Sequence, residues 1–389
     1  MYFSFELSPL LWTLTVAALA AACVACGYVW VQARRLGRAR REAPAEPEQL
    51  MPASVIVYSQ DEAEALETLL RSIMAQDYPA PMEIIVVNEG ESTDVRDTVA
   101  MLQAAFPSLY LTHTPDGARS LSRKKLAITL GVKAARHDVV VLTAIGAEIR
   151  SPQWLRGMMR HFTPDGPVEL VIGYAAQMPG DDTGRGARCR AFDAAVRAVR
   201  WLGAAIAGHP FRATEFNVAY TRKAFFRNKG FSRSLNLHYG DDDIFISEIA
   251  RRDNTAVELT ADSIVGLLAH DYGRTLRRAA VRHIFTEGHI RRRPRLWSAL
   301  NALCMPAALV LPIAAAALAP ANGAVLAIAA VELAGTAAAL TTGWRCVLRR
   351  LDMRELGASV MPLAATYWVR RLMLLARARF GRQKRYTWD

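Results

Sequence analysis

The first long apolar stretch of the chain lies near its N-terminus, where no charged residue occurs from Pro9 to Val31. At about 1.5 Å per residue, a helix of this length can cross a hydrocarbon core of about 30 Å. Positive charge follows the stretch instead of preceding it, which argues against a cleaved signal peptide. The pattern predicts a transmembrane helix over residues 1–33, followed by a basic, Pro- and Glu-containing linker over residues 34–50.

A second apolar region runs from Trp297 to Trp344 and is broken only by Pro320–Gly323 and Glu332. It has room for two spans joined by a very short turn, roughly Ser298–Ala319 and Ala324–Gly343. We therefore predict a transmembrane hairpin over residues 298–344.

Basic segments border the hairpin on both sides, over residues 271–297 and 345–389. In the second of these segments apolar residues alternate irregularly with arginines around Pro362, which favours an amphipathic helix on the membrane surface. Arginines follow the first span directly and flank both outer ends of the hairpin, and such residues stay in the cytoplasm. The chain is thus predicted to be a multi-pass protein of the inner (plasma) membrane with its large central domain in the cytoplasm.

The central region, residues 51–270, has a different pattern, in which short apolar runs alternate with helical faces. Four runs are typical of buried strands: Ala53–Tyr58, Glu83–Asn88, Leu109–Thr112 and Asp138–Thr143. Between the first two, the spacing of Leu66, Leu69, Leu70 and Ile73 predicts a helix, and residues 124–135 predict another before the fourth run. This alternation predicts an α/β domain with a parallel, doubly wound sheet, whose ligands bind at the carboxyl ends of the strands.

The charge of the chain is concentrated outside that domain. The protein has 389 residues, 52% of them hydrophobic, and a net charge of +12. Residues 271–389 carry 19 basic and 6 acidic side chains, whereas residues 51–270 carry 24 basic and 26 acidic ones. The excess of positive charge in residues 271–389 therefore indicates membrane lipids as partners. Nucleic acid is a poor candidate partner, because the globular domain is near neutral.

Several motifs of the central region, in order and spacing, resemble those of family 2 glycosyltransferases. They are Ser54–Glu62, Ala75–Pro79, Glu83–Asp94, the helix with Lys124, Ala127 and Gly131, Pro152–Leu155, and Tyr239–Phe245 with its Asp241-Asp242-Asp243. The resemblance covers about residues 52–283, and the flanking spans suit the membrane-bound branch. It implies a GT-A (Rossmann-like) fold and transfer of a sugar, with inversion, from a nucleotide-sugar donor to a lipid-linked or glycan acceptor.

Acidic side chains at the strand ends are candidates to bind the base and ribose of such a donor. Asp61, Glu62 and Glu89 have the required positions, and Asp94 is a weaker candidate, although helix capping and turn formation explain each one alone equally well. Lys124 and Lys125 open a helix where a cation meets a phosphate, unless both are simply solvated.

The acidic motif Asp241–Asp243 is the candidate for the base that deprotonates the acceptor. Crowded carboxylates are expected to raise at least one pKa, while an N-cap for the following helix is the plainer alternative. The resemblance implies that Asp242 is the base, Asp241 its neighbour and Asp243 a cap. It further implies that Arg274-Thr275 and Arg282-His283 belong to a basic motif, in which Arg282 and His283 stabilise the leaving diphosphate.

Two positions depart from the family pattern. An Asp-x-Asp motif that ligates Mg²⁺ or Mn²⁺ is replaced by Thr143-Ala144-Ile145-Gly146, and a Gln of the basic motif is replaced by Ala279. Either Glu148 and Asp241–Asp243 supply the oxygen ligands of a divalent cation, or metal dependence is lost, or catalysis is lost. The sequence therefore leaves two hypotheses: an active transferase, and a glycosyltransferase-like binding or scaffolding protein without turnover.

Overall fold

The computed structural model describes residues 8–115, 122–177, 184–235, 237, 239–267, 280–290 and 296–380. The chain divides into two compact units. One unit comprises residues 1–37 and 294–375, and the other comprises residues 38–293 and 376–389.

The described elements are numbered in chain order. The helices are α1 (Pro9–Arg41), α2 (Ala63–Met74), α3 (Thr93–Gln103), α4 (Arg123–Ala134), α5 (Trp154–Met159), α6 (Arg185–Ile206), α7 (Arg222–Arg227), α8 (Ile244–Ile249), α9 (Leu296–Leu318), α10 (Gly323–Arg350) and α11 (Val360–Phe380). The strands are β1 (Ala53–Ser59), β2 (Met82–Asn88), β3 (Leu109–His113), β4 (Val139–Ala144), β5 (Ala147–Glu148), β6 (Leu170–Ile172), β7 (Ala175–Gln177), β8 (Val218–Thr221), β9 (Thr255–Val257) and β10 (Val265–Leu267). Residues 280–286 are also helical.

Three helices, α1, α9 and α10, are long and apolar enough to cross a membrane. The predicted spans coincide with them, but α1 continues to Arg41 and α10 to Arg350. Arg, Leu and Ala are good helix formers and no Pro occurs between Arg34 and Pro44, so the first residues of the predicted linker extend α1. Between α9 and α10, the side chain of Asn322 accepts hydrogen bonds from the amides of Ala324 (3.1 Å) and Val325 (3.2 Å) and so caps α10.

Small residues let these helices approach one another. Ala21 and Ala22 of α1 pack with Ala308 of α9. A Cβ atom at Gly343 of α10 would lie 2.9 Å from Val29 of α1, so a side chain there would force the helices apart. The helix expected for the tail is present as α11, and its location at the membrane surface stays a prediction.

The second unit is built on a seven-stranded sheet with the order β3-β2-β1-β4-β8-β6-β9. The first four strands are mutually parallel, whereas β8 runs antiparallel to β4 and to β6. The four predicted strands are thus confirmed to within two residues, and the sheet is mostly parallel as expected. A small second sheet, with the order β5-β10-β7, has no counterpart in the sequence prediction because its strands are only two or three residues long.

The core of this unit is formed by the apolar runs of β1, β2 and β4 and by the helices that cover them. In α2 the buried residues are Leu66, Leu69, Leu70 and Ile73, the face that the spacing predicted. Helix α4 lies close to the sheet because Gly131 has no side chain: a Cβ atom there would come within 2.7 Å of Ile56. This close packing fixes the first turn of α4, with Lys124 and Lys125, at the carboxyl edge of β1 and β2.

Candidate functional site

The carboxyl ends of β1 and β2 hold the first group of predicted residues in a hydrogen-bonded network. The hydroxyl of Tyr58 donates to the carboxylate of Glu89, and the amide of Gln60 donates to the same oxygen at 2.7 Å. Burial and then the contact with Glu89 raise the pKa of Tyr58, so its hydroxyl stays protonated and remains the donor. Glu89 is therefore fixed at the edge of the sheet.

Asp61 belongs to a second network at the same edge. The side-chain amide of Asn88 donates to Oδ1 of Asp61 at 2.6 Å, and the backbone amide of Asp61 donates to Oδ1 of Asn88 at 3.1 Å. The backbone of Asp61 has a φ of 56°, and a Cβ atom at Gly90 would lie 2.0 Å from its carboxylate. Asp61 is thus oriented by the turn after β2 and does not cap α2, where Glu62 occupies the N-cap position, exposed and without a capping hydrogen bond.

The three carboxylates of the acidic turn Asp241–Asp243 have three different environments. Oδ2 of Asp241 lies 2.7 Å from the ammonium of Lys124. Asp242 faces His283, with its Oδ2 3.3 Å from Nε2 of the ring. Asp243 accepts from the amide of Ile244 at 2.7 Å and caps α8, as predicted.

Asp243 also has a role that the sequence did not indicate. It is fully buried, and its Oδ2 accepts from Arg212 at 3.0 Å and from the hydroxyl of Thr286. Arg212 is itself buried, with 4% of its side chain exposed. Asp243 and Arg212 therefore form a buried ion pair that joins the acidic turn to the segment before β8 and to the helical residues 280–286.

The pKa of Asp242 is shifted in the direction opposite to the one expected from crowded carboxylates. Burial alone would raise it, but the hydrogen bond from His283 and the charges of Arg282 and Lys124 outweigh burial and hold the pKa of Asp242 well below its usual range. The expectation of a raised pKa is therefore wrong for the proposed base. Asp242 is ionised at neutral pH.

His283 is the partner that orients Asp242. Burial and the charge of Arg212 lower the pKa of His283, although the carboxylate of Asp242 acts in the opposite direction. A neutral ring can still donate its Nε2–H to Asp242, and this hydrogen bond stabilises the ionised carboxylate without a full ion pair.

The two neighbouring lysines of α4 differ in what they contact. Lys124 reaches the site, where its ammonium pairs with Asp241 and with Glu215 and lies 5.8 Å from the centre of the Tyr58 ring. Successive helical residues point about 100° apart, so Lys125 points elsewhere.

Lys125 does not have the donor-binding position that was predicted for it. It is fully buried, and its ammonium donates to the carbonyls of Ser234, Leu237 (3.1 Å) and Tyr239 (2.7 Å). Burial lowers the pKa of Lys125 to about 8, against the opposing effect of the three nearby aspartates. Lys125 thus holds the segment that leads into the acidic turn and is not available to a phosphate.

Arg282 lies beside Glu215 and the acidic turn. Its Nη2 is 3.2 Å from Oε1 of Glu215 and 3.9 Å from Oδ2 of Asp242, and its guanidinium lies 5.1 Å from the centre of the Tyr239 ring. Arg282 and His283 therefore both lie at Asp242, and their role at the leaving diphosphate stays a prediction. Arg274, Thr275 and Ala279 lie outside the described residues.

The end of β4, where the family motif is missing, contains no ligand for a metal ion. Ala144 is buried, and Gly146 has a φ of 94°, a conformation that disfavours any side chain. Glu148 pairs with Arg150 at 2.6 Å. The prediction that Glu148 supplies a metal ligand is therefore not supported.

Within the described residues, one group brings three metal-ligating side chains within 4.8 Å of one another: Asp242, Asp243 and His283. Both oxygens of Asp243 are engaged by Arg212, Thr286 and the amide of Ile244. Oδ2 of Asp242 lies close to both His283 and Arg282. A divalent cation there would compete with two guanidinium groups for occupied oxygens, so these residues fit such an ion poorly.

A small cavity lies between the acidic turn and the ends of β1 and β4. Its lining includes Lys124, Thr143, Ala144, Glu215, Tyr220, Asp241 and Asp242. The buried hydroxyls of Thr143 and Tyr220 have no hydrogen-bond partner among the described residues. Apolar side chains form most of the rest of the lining, so this small cavity suits about one water bonded to these hydroxyls.

Comparison with known proteins supports a fold and no closer relationship. No protein-family model matches the chain, and no curated protein matches its sequence. A solved structure, mannosyltransferase PcManGT from Pyrobaculum calidifontis in complex with GDP-Man and Mn²⁺, matches with a TM-score of 0.55 and 20% identity. The match covers 95% of this chain and 100% of that chain. The chain has the GT-A glycosyltransferase fold.

Two further solved structures match less well. One is glucosyl-3-phosphoglycerate synthase from Mycobacterium tuberculosis, with 15% identity, a TM-score of 0.40 and 61% and 80% of the two chains covered. TarS 1–349 from S. aureus has 14% identity and a TM-score of 0.42, over 86% of this chain and 93% of that one. The match to PcManGT confirms the fold that the sequence motifs implied, whereas the roles of individual residues rest on the geometry of this chain.

Sequence reasoning missed several residues of the site. Asn88 carried a signal, since it is a polar residue at the end of an apolar strand. Glu215 and Arg212 carried none, because the segment between α6 and β8 has no regular structure and their partners are distant in sequence.

Proposed function

We propose that this protein is a membrane-anchored glycosyltransferase that moves a sugar from a nucleotide-sugar donor to a lipid-linked or glycan acceptor. One observation carries the proposal: within a GT-A fold, the ionised carboxylate of Asp242 lies beside His283 and Arg282. A carboxylate to accept a proton and a cation to stabilise a leaving phosphate are the groups that glycosyl transfer needs.

In the proposed reaction, Asp242 accepts the proton of the acceptor hydroxyl. The hydroxyl oxygen forms a bond to the anomeric carbon, and the bond from that carbon to the diphosphate breaks, so that nucleoside diphosphate leaves with the electron pair. Because the pKa of Asp242 is low, the proton moves as the new C–O bond forms and the hydroxyl becomes acidic. Attack from the side opposite the diphosphate would invert the anomeric centre.

The other residues have supporting roles in this proposal. Arg282 and Lys124 stabilise the charge of the leaving diphosphate. His283 orients Asp242, and Asp241 holds Lys124 at the site. Three carboxylates bind the base and ribose of the donor: Asp61, oriented by Asn88; Glu89, held by Tyr58 and Gln60; and the exposed Glu62.

The three apolar helices support a membrane location for the reaction. Arginines follow the apolar part of α1 and end α10. By the positive-inside rule, this supports a multi-pass protein of the inner (plasma) membrane with its GT-A domain in the cytoplasm. A lipid-linked acceptor and membrane lipids fit that location.

Asp242→Asn tests the proposal directly. The full chain, in nanodiscs with native lipid extract, is assayed for release of nucleoside diphosphate from a panel of UDP- and GDP-sugars. Loss of the base is expected to lower the rate at least about 100-fold. Asp97→Asn, an exposed aspartate on α3, is the matched control and should behave as the wild type. Equal rates for wild type and Asp242→Asn, or no release by either, would contradict the proposal.

A second candidate is a binding or scaffolding protein that keeps the GT-A fold without turnover. The observation that favours it is the end of β4, where Ala144 and Gly146 offer no side-chain ligand. It requires that a nucleotide sugar bind to the wild type without being consumed, as measured by calorimetry followed by analysis of the recovered ligand. Consumption that depends on Asp242 would exclude it.

A further inference from the structure

Glu215 connects the two cations of the site. Its carboxylate pairs with the ammonium of Lys124 through Oε2, and Oε1 lies 3.2 Å from Arg282. All three side chains are largely buried, with 16%, 18% and 16% of Lys124, Glu215 and Arg282 exposed. Lys124 and Arg282 are therefore joined by one carboxylate that comes from neither the acidic turn nor the strand ends.

Neither cation needs Glu215 to neutralise its charge. Lys124 already has Asp241 at 2.7 Å, and Arg282 has Asp242 at 3.9 Å. Glu215 is therefore a second carboxylate for each of these two cations, beyond the one that the acidic turn supplies. Another anion could take its place while the acidic turn still holds Lys124 and Arg282 at the site.

The position of Glu215 is that of a group bound between two cations, as a diphosphate would be. Two cationic side chains that converge on one point are a binding arrangement for phosphate. Glu215 lies in the irregular segment before β8, so its side chain can turn away without disturbing a helix or a strand.

The described side chains at the same place offer few free ligands for a metal ion. Ala144, at the end of β4, lines the same cavity as Glu215 and Lys124 and offers only a methyl group. The oxygens of the acidic turn are engaged by protein cations. In the part of the chain that the structure describes, the cations that converge on this point are Lys124 and Arg282.

Resting on the proposed function, we propose that Glu215 occupies the place of the donor's diphosphate between Lys124 and Arg282. The diphosphate binds by displacing it, without a divalent cation. Glu215 is then a specificity-determining residue: it keeps the two cations together when the site is empty, and only a ligand with at least two negative charges replaces it at both.

Calorimetry tests this proposal. It measures how tightly inorganic pyrophosphate binds to the full chain in nanodiscs, with EDTA present. Glu215→Gln removes the competing charge and keeps the shape, so pyrophosphate should bind about tenfold more tightly than to the wild type. Lys124→Gln should weaken binding by a similar factor. Glu64→Gln, an exposed carboxylate in the first turn of α2, is the matched control and should leave affinity unchanged.

A gain in affinity cannot arise from a loss of folded protein, so the Glu215→Gln result does not depend on the stability of the variant. If that variant does not fold, Glu215→Asp, whose shorter side chain cannot reach both cations, should give a smaller gain. Equal affinity of wild type and the folded variant overturns the displacement. When Mn²⁺ replaces EDTA it complexes part of the pyrophosphate, so the wild-type affinity should not increase, and a tightening of tenfold or more overturns the metal-free binding.

These outcomes are separate from those of the proposed function. Pyrophosphate binding with the expected response at Glu215, but no Asp242-dependent turnover, would contradict the transferase and leave this inference standing. Turnover that depends on Asp242, with no effect of Glu215→Gln on binding, would do the reverse.

Discussion

The end of β4 and the acidic turn line the same cavity, yet they differ in chemistry. The acidic turn has a cationic or hydrogen-bonding partner for each carboxylate: Lys124 for Asp241, His283 for Asp242 and Arg212 for Asp243. The end of β4 has no ionisable side chain from Thr143 to Gly146. The charge of the site is thus balanced around the acidic turn, largely by protein side chains.

The difference shows that neighbouring carboxylates need not share a role. Asp243 is fully buried against Arg212, whereas Asp242 faces His283 and Arg282 at the cavity. We expect changes at Asp243 to act mainly on folding, changes at Asp242 to act on the reaction, and changes at the end of β4 to act on local backbone conformation.

The largest effect on stability is expected for Asp243→Ala. It leaves the buried guanidinium of Arg212 without its carboxylate and removes the cap of α8, which should lower the free energy of unfolding by about 3–5 kcal/mol. Chemical unfolding of the detergent-solubilised chain measures this. Asp94→Ala, an exposed aspartate in the first turn of α3, should change stability by less than about 0.5 kcal/mol. A loss at Asp243 no larger than at Asp94 would show that the ion pair does not hold the turn.

A smaller effect is expected from pH, through Lys125. Its pKa is about 8 in the folded chain and 10.5 in the reference state, so between these values the unfolded chain binds more protons. Stability should therefore rise with pH across pH 8 to 10.5, by at most about 3 kcal/mol, because the burial penalty of the ammonium is relieved. Below pH 8 this contribution is constant.

Lys125→Met isolates that effect from other groups that titrate in the same range. The difference in unfolding free energy between wild type and variant should change with pH only above about pH 8. A difference that is constant from pH 7 to 10.5 would mean that the buried ammonium keeps an ordinary pKa.

The contrast between Lys124 and Lys125 shows how far the sequence predicts the site. Both were candidates because both open α4 at a strand end, and that much follows from the periodicity of the apolar residues. Which one enters the site depends on the rotation of α4 against the sheet, which the contact of Gly131 with Ile56 fixes. Periodicity locates an element, but tertiary packing decides which of two adjacent polar side chains is free to bind.

The same limit applies to the acidic turn and its partners. The sequence identified Asp241–Asp243, Arg282 and His283 through their motifs and predicted Asp243 as a cap. The direction of the Asp242 pKa was not predictable, because it depends on a hydrogen bond and on charges from other segments. Glu215 and Arg212 were out of reach for the same reason, since neither belongs to a periodic element.

The smallest effect is expected at the end of β4, from Gly146→Ala. At a φ of 94° a Cβ atom is strained, so the variant should lose about 1 kcal/mol of stability and little else. Gly146→Asp would restore a carboxylate at this position. Asp adopts a positive φ more readily than Ala, so we expect it to be at least as stable as Gly146→Ala. We expect it to bind Mn²⁺ no more tightly than the wild type, because Ala144 still offers no carboxylate, as measured by electron paramagnetic resonance of the free ion. Tight Mn²⁺ binding by Gly146→Asp would instead mean that the end of β4 differs from the family motif only by a missing ligand.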